Sequence, residues 1–254
     1  MKPRLSVIII AKNEASRLAA TLESVAFADE IVVLDSGSSD GTAELARQFT
    51  DKVFIASDWP GFGIQKNRAL SHATGDWVLS IDADERVSAE LRVEILAAIA
   101  APLAEVYEMP RLSSYCGRRM RHSGWWPDYN PRLFRRGTIA FSEDLVHERL
   151  SFHGTPGRLT APLHHESFRT LEEVLDKVNR YSSAGAEQAL ARGRQGSLGK
   201  AVVHGLWAFL RTFVVRAGFL DGREGFLLAV SNAEGVYYRY LKLMYLQAKR
   251  PDGR

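Results

Sequence analysis

The chain has few of the residues and segments that mark disulfide-stapled, secreted or membrane-spanning proteins. Its 254 residues include a single cysteine, Cys116, which excludes an internal disulfide and makes a reduced compartment the expectation. We find no internal repeat or low-complexity segment, and the 46% hydrophobic and 25% charged content excludes disorder and collagen-like structure. The first apolar run, 5–11, stops at Lys12, so we expect neither a signal peptide nor a spanning helix there.

Two common phosphate-binding signatures are also absent. The turn Ser-Gly-Ser-Ser-Asp-Gly-Thr at 36–42 is similar to a phosphate cradle. It lacks the glycine spacing and lysine of a P-loop and the three glycines of a dinucleotide fingerprint. Asp40 in this turn could equally be a helix N-cap. Flavin, NAD and ATPase functions therefore find little support.

The net charge of +3 is the sum of two unlike halves. Residues 1–110 carry 10 Lys and Arg against 17 Asp and Glu, whereas residues 111–254 carry 23 against 13. The first half therefore has a net charge of −7 and the second of +10. A basic half of this kind predicts an anionic partner, such as a nucleic acid, an anionic membrane or a phosphorylated ligand.

Hydrophobic patterning alternates between strands and helices over the first hundred residues. The predicted strands are 5–11, 30–35, 52–56 and 77–81. Helix-period segments separate them, and Ser88 is a predicted N-cap for the helix that follows. The pattern predicts an α/β fold with a mostly parallel sheet flanked by helices. The predicted organisation is a domain over 1–168, with halves 1–110 and 111–168, and a helical extension over 169–254.

One C-terminal segment, 201–220, is apolar enough to be mistaken for a membrane span. Arg211 and Arg216 argue against spanning, because each arginine costs about 2.5 to 3.5 kcal/mol at a helix centre. The segment predicts an amphipathic helix that packs on the protein's own core or rests on a membrane surface. Its predicted polar face is Lys200, His204, Trp207 and Arg211, and its predicted apolar face is Val202, Leu206, Phe209, Phe213 and Leu220.

Polar side chains follow three of the four predicted strands. They are Asn13 and Glu14 after the first, Asp35 after the second, and Asp82 and Asp84 after the fourth. Ligands of parallel α/β sheets bind beyond these carboxyl ends. Mg²⁺ and Mn²⁺ accept one or two carboxylates, with water and substrate phosphates completing the shell. The pattern therefore predicts a divalent cation here, although acidic pairs also occur as solvated caps.

The chain resembles the family 2 glycosyltransferases, which have the nucleotide-diphospho-sugar fold called GT-A. The resemblance is carried by LSVIIIAKNE at 5–14, VLDSGSSDGT at 33–42, QKN at 65–67 and GDWVLSIDADE at 75–85. Weaker likeness continues through 132–134 and 146–148 to 221–222. Over its whole length the chain is most similar to lipopolysaccharide core glucosyltransferases that act on the first heptose.

The resemblance implies a role for each matching residue on the donor side. Asp35 would pair with the nucleotide base, Lys66 would face the phosphates, and Asp82 would lie beside the ribose. Asp84 would hold the metal that bridges the diphosphate. The remaining residues implied to bind the nucleotide-sugar are Ala11, Asn13, Glu14 and Ala83. Ala11 stands near a position where the family often has an aromatic residue.

An inverting transfer also requires a general base on the acceptor side. Residues 142–148 offer three carboxylates: Glu143, Asp144 and Glu148. Many family members have an Asp after a Glu here, which favours Asp144 as the base. The chain also resembles members with a Val/Ile-His-Glu element, which favours Glu148, and we choose Glu148. The alternative is that all three are surface charges paired with neighbouring arginines.

Two further groups are candidates for metal and acceptor binding. His164 and His165 follow a predicted strand over 159–163, and some GT-A enzymes complete the metal shell with a histidine; packing or capping is the alternative. The candidate acceptor residues are Trp125, Trp126, Asp128 and Arg132. Aromatic rings of this kind stack on sugars and arginine binds phosphate, although the tryptophans could equally be packing residues.

The resemblance implies an inverting, metal-dependent transferase that moves glucose from UDP-glucose to a lipid-linked saccharide of the lipopolysaccharide inner core. It would lie peripherally on the anionic inner face of the bacterial inner membrane. The alternatives are a family 2 transferase with a polyprenyl-phosphate or other surface-polysaccharide acceptor, and a non-catalytic nucleotide-sugar or membrane-binding module. Nucleic acid is not expected, because no recognition motif is present and the acidic strand ends would repel phosphate without a metal.

Overall fold

The computed structural model describes residues 2–142, 150–152 and 154–248. The chain divides into two compact units. The first is Met1–Arg111 with Asp128–His165, and the second is Leu112–Pro127 with Glu166–Arg254. Residues 112–127 thus group with the C-terminal helices, whereas the division expected from the sequence places them in the first domain.

The predicted alternation of strands and helices is confirmed over the first hundred residues. The strands are β1 (Leu5–Ala11), β2 (Glu30–Asp35), β3 (Val53–Ile55), β4 (Trp77–Asp82), β5 (Glu85–Val87), β6 (Val106–Tyr115), β7 (Arg118–Arg119), β8 (Tyr129–Arg135), β9 (Ala140–Phe141), β10 (Leu150–Ser151), β11 (Gly157–Arg158) and β12 (Leu163–Phe168). The helices are α1 (Ala15–Ser24), α2 (Thr42–Ala46), α3 (Phe62–Ser71), α4 (Ala89–Ala100), α5 (Leu171–Ala191), α6 (Leu198–Leu210) and α7 (Gly222–Ala248). A π-helical turn, Arg211–Val215, and a 3-10 helix, Gly218–Asp221, lie between α6 and α7.

The first unit is built on a sheet buried on both faces. Its strands follow the order β3-β2-β1-β4-β8-β6, in which the first four are parallel and β8 is antiparallel to both neighbours. Side chains alternate across β1, so Val7 and Ile9 join one core cluster while Ile8 and Ile10 join the other. As predicted, the Ser88 side chain caps α4 by accepting from the Leu91 amide at 3.1 Å.

The amino edge of this sheet, where β1, β2 and β4 begin, buries a carboxylate. Glu30 accepts hydrogen bonds from the Ser6 hydroxyl, the Lys52 ammonium, and the Thr74 amide and hydroxyl at 2.7 and 2.8 Å. Burial alone would raise the pKa of Glu30, but Lys52, Ser6 and Thr74 together lower it to about 2. Glu30 is therefore ionised in the folded protein over the whole neutral range.

Gly75 completes the amino edge by a close approach of two backbones. Its amide donates to the Ser6 hydroxyl at 2.8 Å. A Cβ added at Gly75 would lie 2.7 Å from the Ser6 Oγ and 2.9 Å from the Arg4 carbonyl oxygen. These distances leave no room for a side chain, so only glycine fits this position.

The second unit is helical, as the sequence pattern predicts after residue 171. Its aromatic and aliphatic core includes Tyr115, Met120, Val174 and Leu228. Helix α6 packs on α7 through small residues. A Cβ added at Gly205 would lie only 3.3 Å from the Tyr237 Cβ. A buried glycine lets two helix backbones come close together.

Two sequence predictions for the secondary structure are wrong in extent. The strand predicted over 159–163 instead covers Leu163–Phe168, because its pairing partner is β5. The helix predicted over 201–220 is regular only to Leu210, and Ala217 has a left-handed φ of 53° that ends the π-helical turn.

Burial along α6 does not follow the predicted apolar face. The buried positions are the small residues Ala201 and Gly205, followed by Thr212 in the π-helical turn. Val202 and Leu206 are more than half exposed, and Phe209 and Phe213 are half-buried against Phe226. Small residues therefore face the protein, whereas large apolar residues such as Val202 and Leu206 are exposed.

Candidate active site

The carboxyl ends of the parallel strands meet at one edge of the sheet, as predicted. In the strand register Ala11 pairs with Asp35, and Ile10 pairs with Asp82. Because β1 lies between β2 and β4, these residues form a row where ligands of parallel sheets bind. We call this row, with the loops that follow it, the donor edge. Ala11 itself is buried, and its carbonyl accepts from the Ser36 amide at 2.8 Å.

Two loops of the donor edge are tied together by side-chain hydrogen bonds. Asn13 has a left-handed φ of 56°, and its side-chain oxygen accepts from the Ser39 amide at 2.9 Å. Asp40 accepts from the amides of Ala15 and Thr42, both at 3.1 Å. Asp40 therefore caps α1 from the neighbouring loop. The Thr42 hydroxyl, followed by these amides, lowers the pKa of Asp40 despite its partial desolvation.

Asp35 lies at the end of β2 and is only 1% exposed. One carboxylate oxygen accepts from the amides of Gly37 and Ser38 at 3.1 and 2.9 Å, and the other accepts from the Ser38 hydroxyl. In this conformation Asp35 orders the turn of 36–38. A nucleotide base could reach the carboxylate directly only after that turn opened.

A chain of alternating charges runs along the donor edge. The Lys66 ammonium, from α3, lies 3.0 Å from one oxygen of Asp82. The Arg132 guanidinium, from β8, donates to the other oxygen at 2.8 Å and to Glu85 at 2.6 Å. Arg111 lies 3.7 Å from the same oxygen of Glu85. Three cationic side chains from separate elements, α3, β8 and β6, thus meet around Asp82 and Glu85.

The two carboxyl groups at the centre of this chain respond differently to it. Burial tends to raise the pKa of Asp82, but the charges of Arg132 and Lys66 and their hydrogen bonds hold it well below its usual range. Burial raises the pKa of Glu85, which is fully buried; Arg132 opposes that rise and the charge of Asp82 adds to it. Asp82, whose side chain is 32% exposed, is thus a stable anion that a ligand can reach.

Asp84 lies beside His165. The strand register pairs His165 with Glu85 and His164 with Arg86, so the two imidazoles point to opposite faces of β12. The Nε2 of His165 is 3.4 Å from a carboxylate oxygen of Asp84, and both side chains are partly exposed. The structure therefore brings His165, and not His164, to the predicted metal carboxylate.

This pair suits a divalent cation that the chain holds through few ligands. Two donors 3.4 Å apart can both lie about 2.1 Å from one ion, the distance that Mg²⁺ requires. Within the described residues, no group of three or more His, Cys, Asp and Glu could hold a metal ion. The remaining ligands would have to be phosphate oxygens and water, as is usual for Mg²⁺.

Glu14, Arg17 and Ala83 complete this part of the edge. Arg17 of α1 lies 3.6 Å from Asp84 and 3.8 Å from Glu14. Ala83 has its side chain in the core, and its carbonyl accepts from the Thr21 hydroxyl at 2.7 Å. Sequence reasoning assigned no role to Arg17, Arg111 or Glu85. Only Glu85 carried a signal, as the third acid of the run after β4.

The predicted acceptor residues divide between the two units. Arg132 lies in the donor-edge charge chain, and Asp128 accepts from Arg111 at 2.8 and 3.0 Å. In the second unit the Trp125 ring stacks on Phe168, and the Arg121 guanidinium lies 5.6 Å from the Trp126 ring. Trp125 is thus a packed side chain of the helical unit.

The predicted general bases, Glu143, Asp144 and Glu148, lie outside the described residues. The described residues on either side of them are held near α3. Asn67 both donates to the Phe141 carbonyl and accepts from its amide at 2.9 Å, and Leu150 pairs with Phe141 across β9 and β10. Asn67 is adjacent in sequence to Lys66, so these flanks lie beside the donor edge.

Comparisons with known proteins identify the family of the chain. A family model described as glycosyl transferase family 2 matches residues 6–153. The lipopolysaccharide core biosynthesis glycosyltransferase LpsC of Rhizobium meliloti is 31% identical over 259 residues, 93% of each chain. An uncharacterized glycosyltransferase of Rickettsia typhi is 31% identical over 261 residues, 97% of this chain and 88% of that protein.

A solved structure has the same fold. Staphylococcus aureus TarS, residues 1–349, matches with a TM-score of 0.51 at 17% identity, covering 98% of this chain and 93% of that chain. The mixed sheet flanked by helices, with its C-terminal helices, is therefore the GT-A fold expected from the motifs. The family model, together with relatives that span nearly the whole chain, shows that the chain belongs to glycosyl transferase family 2 and is a nucleotide-sugar glycosyltransferase.

Proposed function

We propose that the enzyme transfers glucose from UDP-glucose to the inner core of lipopolysaccharide with inversion of configuration. The observation that carries the proposal is the 31% identity to LpsC, a protein named for lipopolysaccharide core biosynthesis, over 93% of each chain. The alternative acceptor, a polyprenyl phosphate or another surface polysaccharide, would use the same donor edge.

In this proposal the donor lies along the donor edge. Once the turn of 36–38 opens, Asp35 and the loop of Asn13 and Glu14 hold the nucleotide base, and Asp82 accepts a hydrogen bond from the ribose. Asp82 suits this role because Arg132 and Lys66 keep it ionised while leaving part of its side chain exposed. Lys66, which pairs with Asp82 and whose side chain is only 3% exposed, would have to turn towards the phosphates when they bind.

Asp84 and His165 would hold a divalent cation. The fit rests on their separation of 3.4 Å and on the chemistry of one carboxylate with one imidazole, which suits Mn²⁺ and, less usually, Mg²⁺. When bound, the cation would offset the negative charge that develops on the leaving diphosphate.

A carboxylate on the acceptor side takes the proton of the acceptor hydroxyl as the hydroxyl oxygen attacks the anomeric carbon. The bond from that carbon to the diphosphate oxygen breaks, and UDP leaves. We propose Glu148 for this role, with Asp144 and Glu143 as alternatives. Support comes from the flanks of this segment, which lie beside Asn67 of α3.

The enzyme is proposed to work peripherally on the cytoplasmic face of the inner membrane. Leu198–Val215 is long and apolar enough to cross a membrane by length and composition, and only 17% of it is buried. Val203, Leu206 and Trp207 are 65%, 59% and 55% exposed, and Arg211 lies beside them. A surface of this kind lies in the interface plane of an anionic bilayer.

A vesicle sedimentation assay tests this location. The double substitution of Leu206 and Trp207 by Asp should reduce binding to phosphatidylglycerol vesicles at least tenfold. Leu103→Asp is the matched control, because Leu103 is 97% exposed in the other unit. Equal binding of both variants would contradict the membrane surface.

Transfer assays test the function directly. Purified enzyme should transfer glucose from UDP-glucose to truncated inner-core acceptors, and it should fail with GDP- and ADP-sugars. Asp84→Ala and Glu148→Gln should each abolish transfer while the protein remains folded. Transfer to polyprenyl phosphate, with none to the core acceptors, would establish the alternative.

A further inference from the structure

The second unit has an open cavity whose lining residues all belong to that unit. Its volume is about 570 Å³, within the range of small-molecule sites. It lies between α5 and α7, and its walls include Tyr115, Trp125, Phe168, Leu228 and Val236. The donor-edge residues all belong to the other unit, so nothing in the proposed transfer explains this space.

The walls of the cavity offer carbon surface and few available polar groups. Tyr115 and Ser231 bond to each other at 2.9 Å, and the Ser231 hydroxyl also donates to the Leu227 carbonyl. Ser182 donates to the Asn179 carbonyl at 3.0 Å. A saccharide needs several hydrogen-bond partners, because its hydroxyls lose water when they are buried. The cavity therefore suits a hydrocarbon ligand better than a sugar.

The charge of the lining has one sign. Lys177 and Arg239 line the cavity, and no Asp or Glu is among its described lining residues. The Lys177 ammonium lies 4.7 Å from the Phe168 ring and 5.8 Å from the Tyr181 ring, and Tyr181 is 62% exposed. An apolar chamber with cations beside an exposed aromatic residue complements an amphiphile with an anionic head.

Two glycines in helix interiors widen the cavity. Gly235 of α7 and Gly185 of α5 both line it. A Cβ at Gly235 would meet nothing within 4 Å, and one at Gly185 would meet only the flexible Arg239 side chain. Glycine is among the least favourable residues inside a helix, and neither contact with backbone nor a positive φ requires it here. The space that these glycines leave is therefore best explained by a ligand.

We propose that this cavity binds one hydrocarbon chain of an anionic membrane lipid, with Lys177 and Arg239 facing the headgroup. The same unit carries the exposed apolar surface of α6, which would bring lipid to the cavity. The site goes beyond the proposed sugar transfer, because its lining residues belong to the second unit and the donor-edge residues to the first.

Fluorescence titration with anthroyloxy-stearate, a single-chain anionic probe, tests the site in the full-length protein. We expect saturable binding of one probe per chain, displaced by lysophosphatidylglycerol and not by glycerol phosphate, which is the headgroup alone. Gly235→Leu should fill the cavity and weaken binding at least tenfold. Gly199→Leu is the matched control, because Gly199 is also helical with free space and lies outside the cavity.

A second pair of variants tests the charge. Lys177→Gln with Arg239→Gln should weaken binding of the acid about tenfold and leave binding of its methyl ester unchanged. UDP binding, measured in parallel, should be wild-type in every variant, so failure of this site is distinguishable from failure of the proposed transfer. Equal probe affinity in the wild type and Gly235→Leu, or displacement by free sugars, would overturn the proposal.

Discussion

The two edges of the β1-β2-β4 sheet both gather carboxylates with cations, and they differ in exposure. At the amino edge the Glu30 side chain is 5% exposed and its hydrogen bonds come from within the fold. At the donor edge the Asp82 side chain is 32% exposed, although it has two cationic partners. Both pKa values are lowered. A carboxylate that is ionised in the folded protein is therefore not for that reason a functional residue. A carboxylate that is ionised and also partly exposed to ligands is the better candidate.

Among the substitutions that test this comparison of the two edges, the one at Asp84, on the donor edge, should have the largest effect. Asp84→Ala should reduce the transfer rate at least about 1,000-fold, equivalent to about 4 kcal/mol in the barrier. Its melting temperature should change little, because the carboxylate is partly exposed and its ion pair with Arg17 is long. Thermal unfolding monitored by circular dichroism, beside a transfer assay, checks both. Wild-type transfer activity in Asp84→Ala would show that Asp84 is not part of the active site.

Glu30→Gln should have the opposite profile. The carboxylate is buried and its pKa is lowered from 4.5 to about 2, so its loss should cost on the order of 2 to 3 kcal/mol of unfolding free energy. The melting temperature should fall by roughly 5 to 10 °C. Transfer per folded molecule should be unchanged. A drop in that activity with unchanged stability would reverse the assignment of the two edges.

The same substitution has a predictable dependence on pH. A folded pKa below the unfolded value stabilises the protein above about pH 4.5, and this contribution is lost as the pH falls towards 2. The difference in unfolding free energy between the wild type and Glu30→Gln should therefore be constant near neutrality and shrink below pH 4.5. Urea titrations at several pH values measure it, and a difference that grows in acid would be inconsistent with this sign.

At the donor edge, His165→Ala should raise the Mn²⁺ concentration for half-maximal activity by about 10-fold to 100-fold. His164→Ala is the matched control, because its position in β12 directs it to the opposite face. An equal response of both variants would exclude the proposed pairing of His165 with Asp84.

The smallest effect is expected for Lys52→Gln. Lys52 contacts Glu30, but its side chain is 40% exposed and solvent screens the charge. Removing it should cost less than about 1 kcal/mol of unfolding free energy. A loss as large as that of Glu30→Gln would place the stability of this edge in the ion pair rather than in the buried hydrogen bonds.

Local pattern was enough to predict the parallel strands and the residues that end them. Runs such as 5–11 and 77–81 are apolar apart from one serine each, Ser6 and Ser80, which is typical of strands buried on both faces. The Ser88 cap was predictable for the same reason, because its hydrogen bond spans three residues.

Pairing between strands that are distant in the sequence could not be predicted from local pattern. Arg132 was grouped with the neighbouring tryptophans, but β8 lies beside β4 and brings its guanidinium to Asp82. The choice between His164 and His165 likewise depends on the register with β5. Which positions of α6 are buried could not be predicted, because hydropathy cannot reveal that Gly205 packs on α7.

The close approach at Gly75 has a consequence for mutational scanning. Any side chain there would collide with Ser6 and Arg4, so every substitution should be deleterious although the residue lies far from the donor edge. A scan scored by activity alone would rank Gly75 with Asp84. Scored also by the abundance of folded protein, Gly75 would group with Glu30, and Asp84 would stand apart.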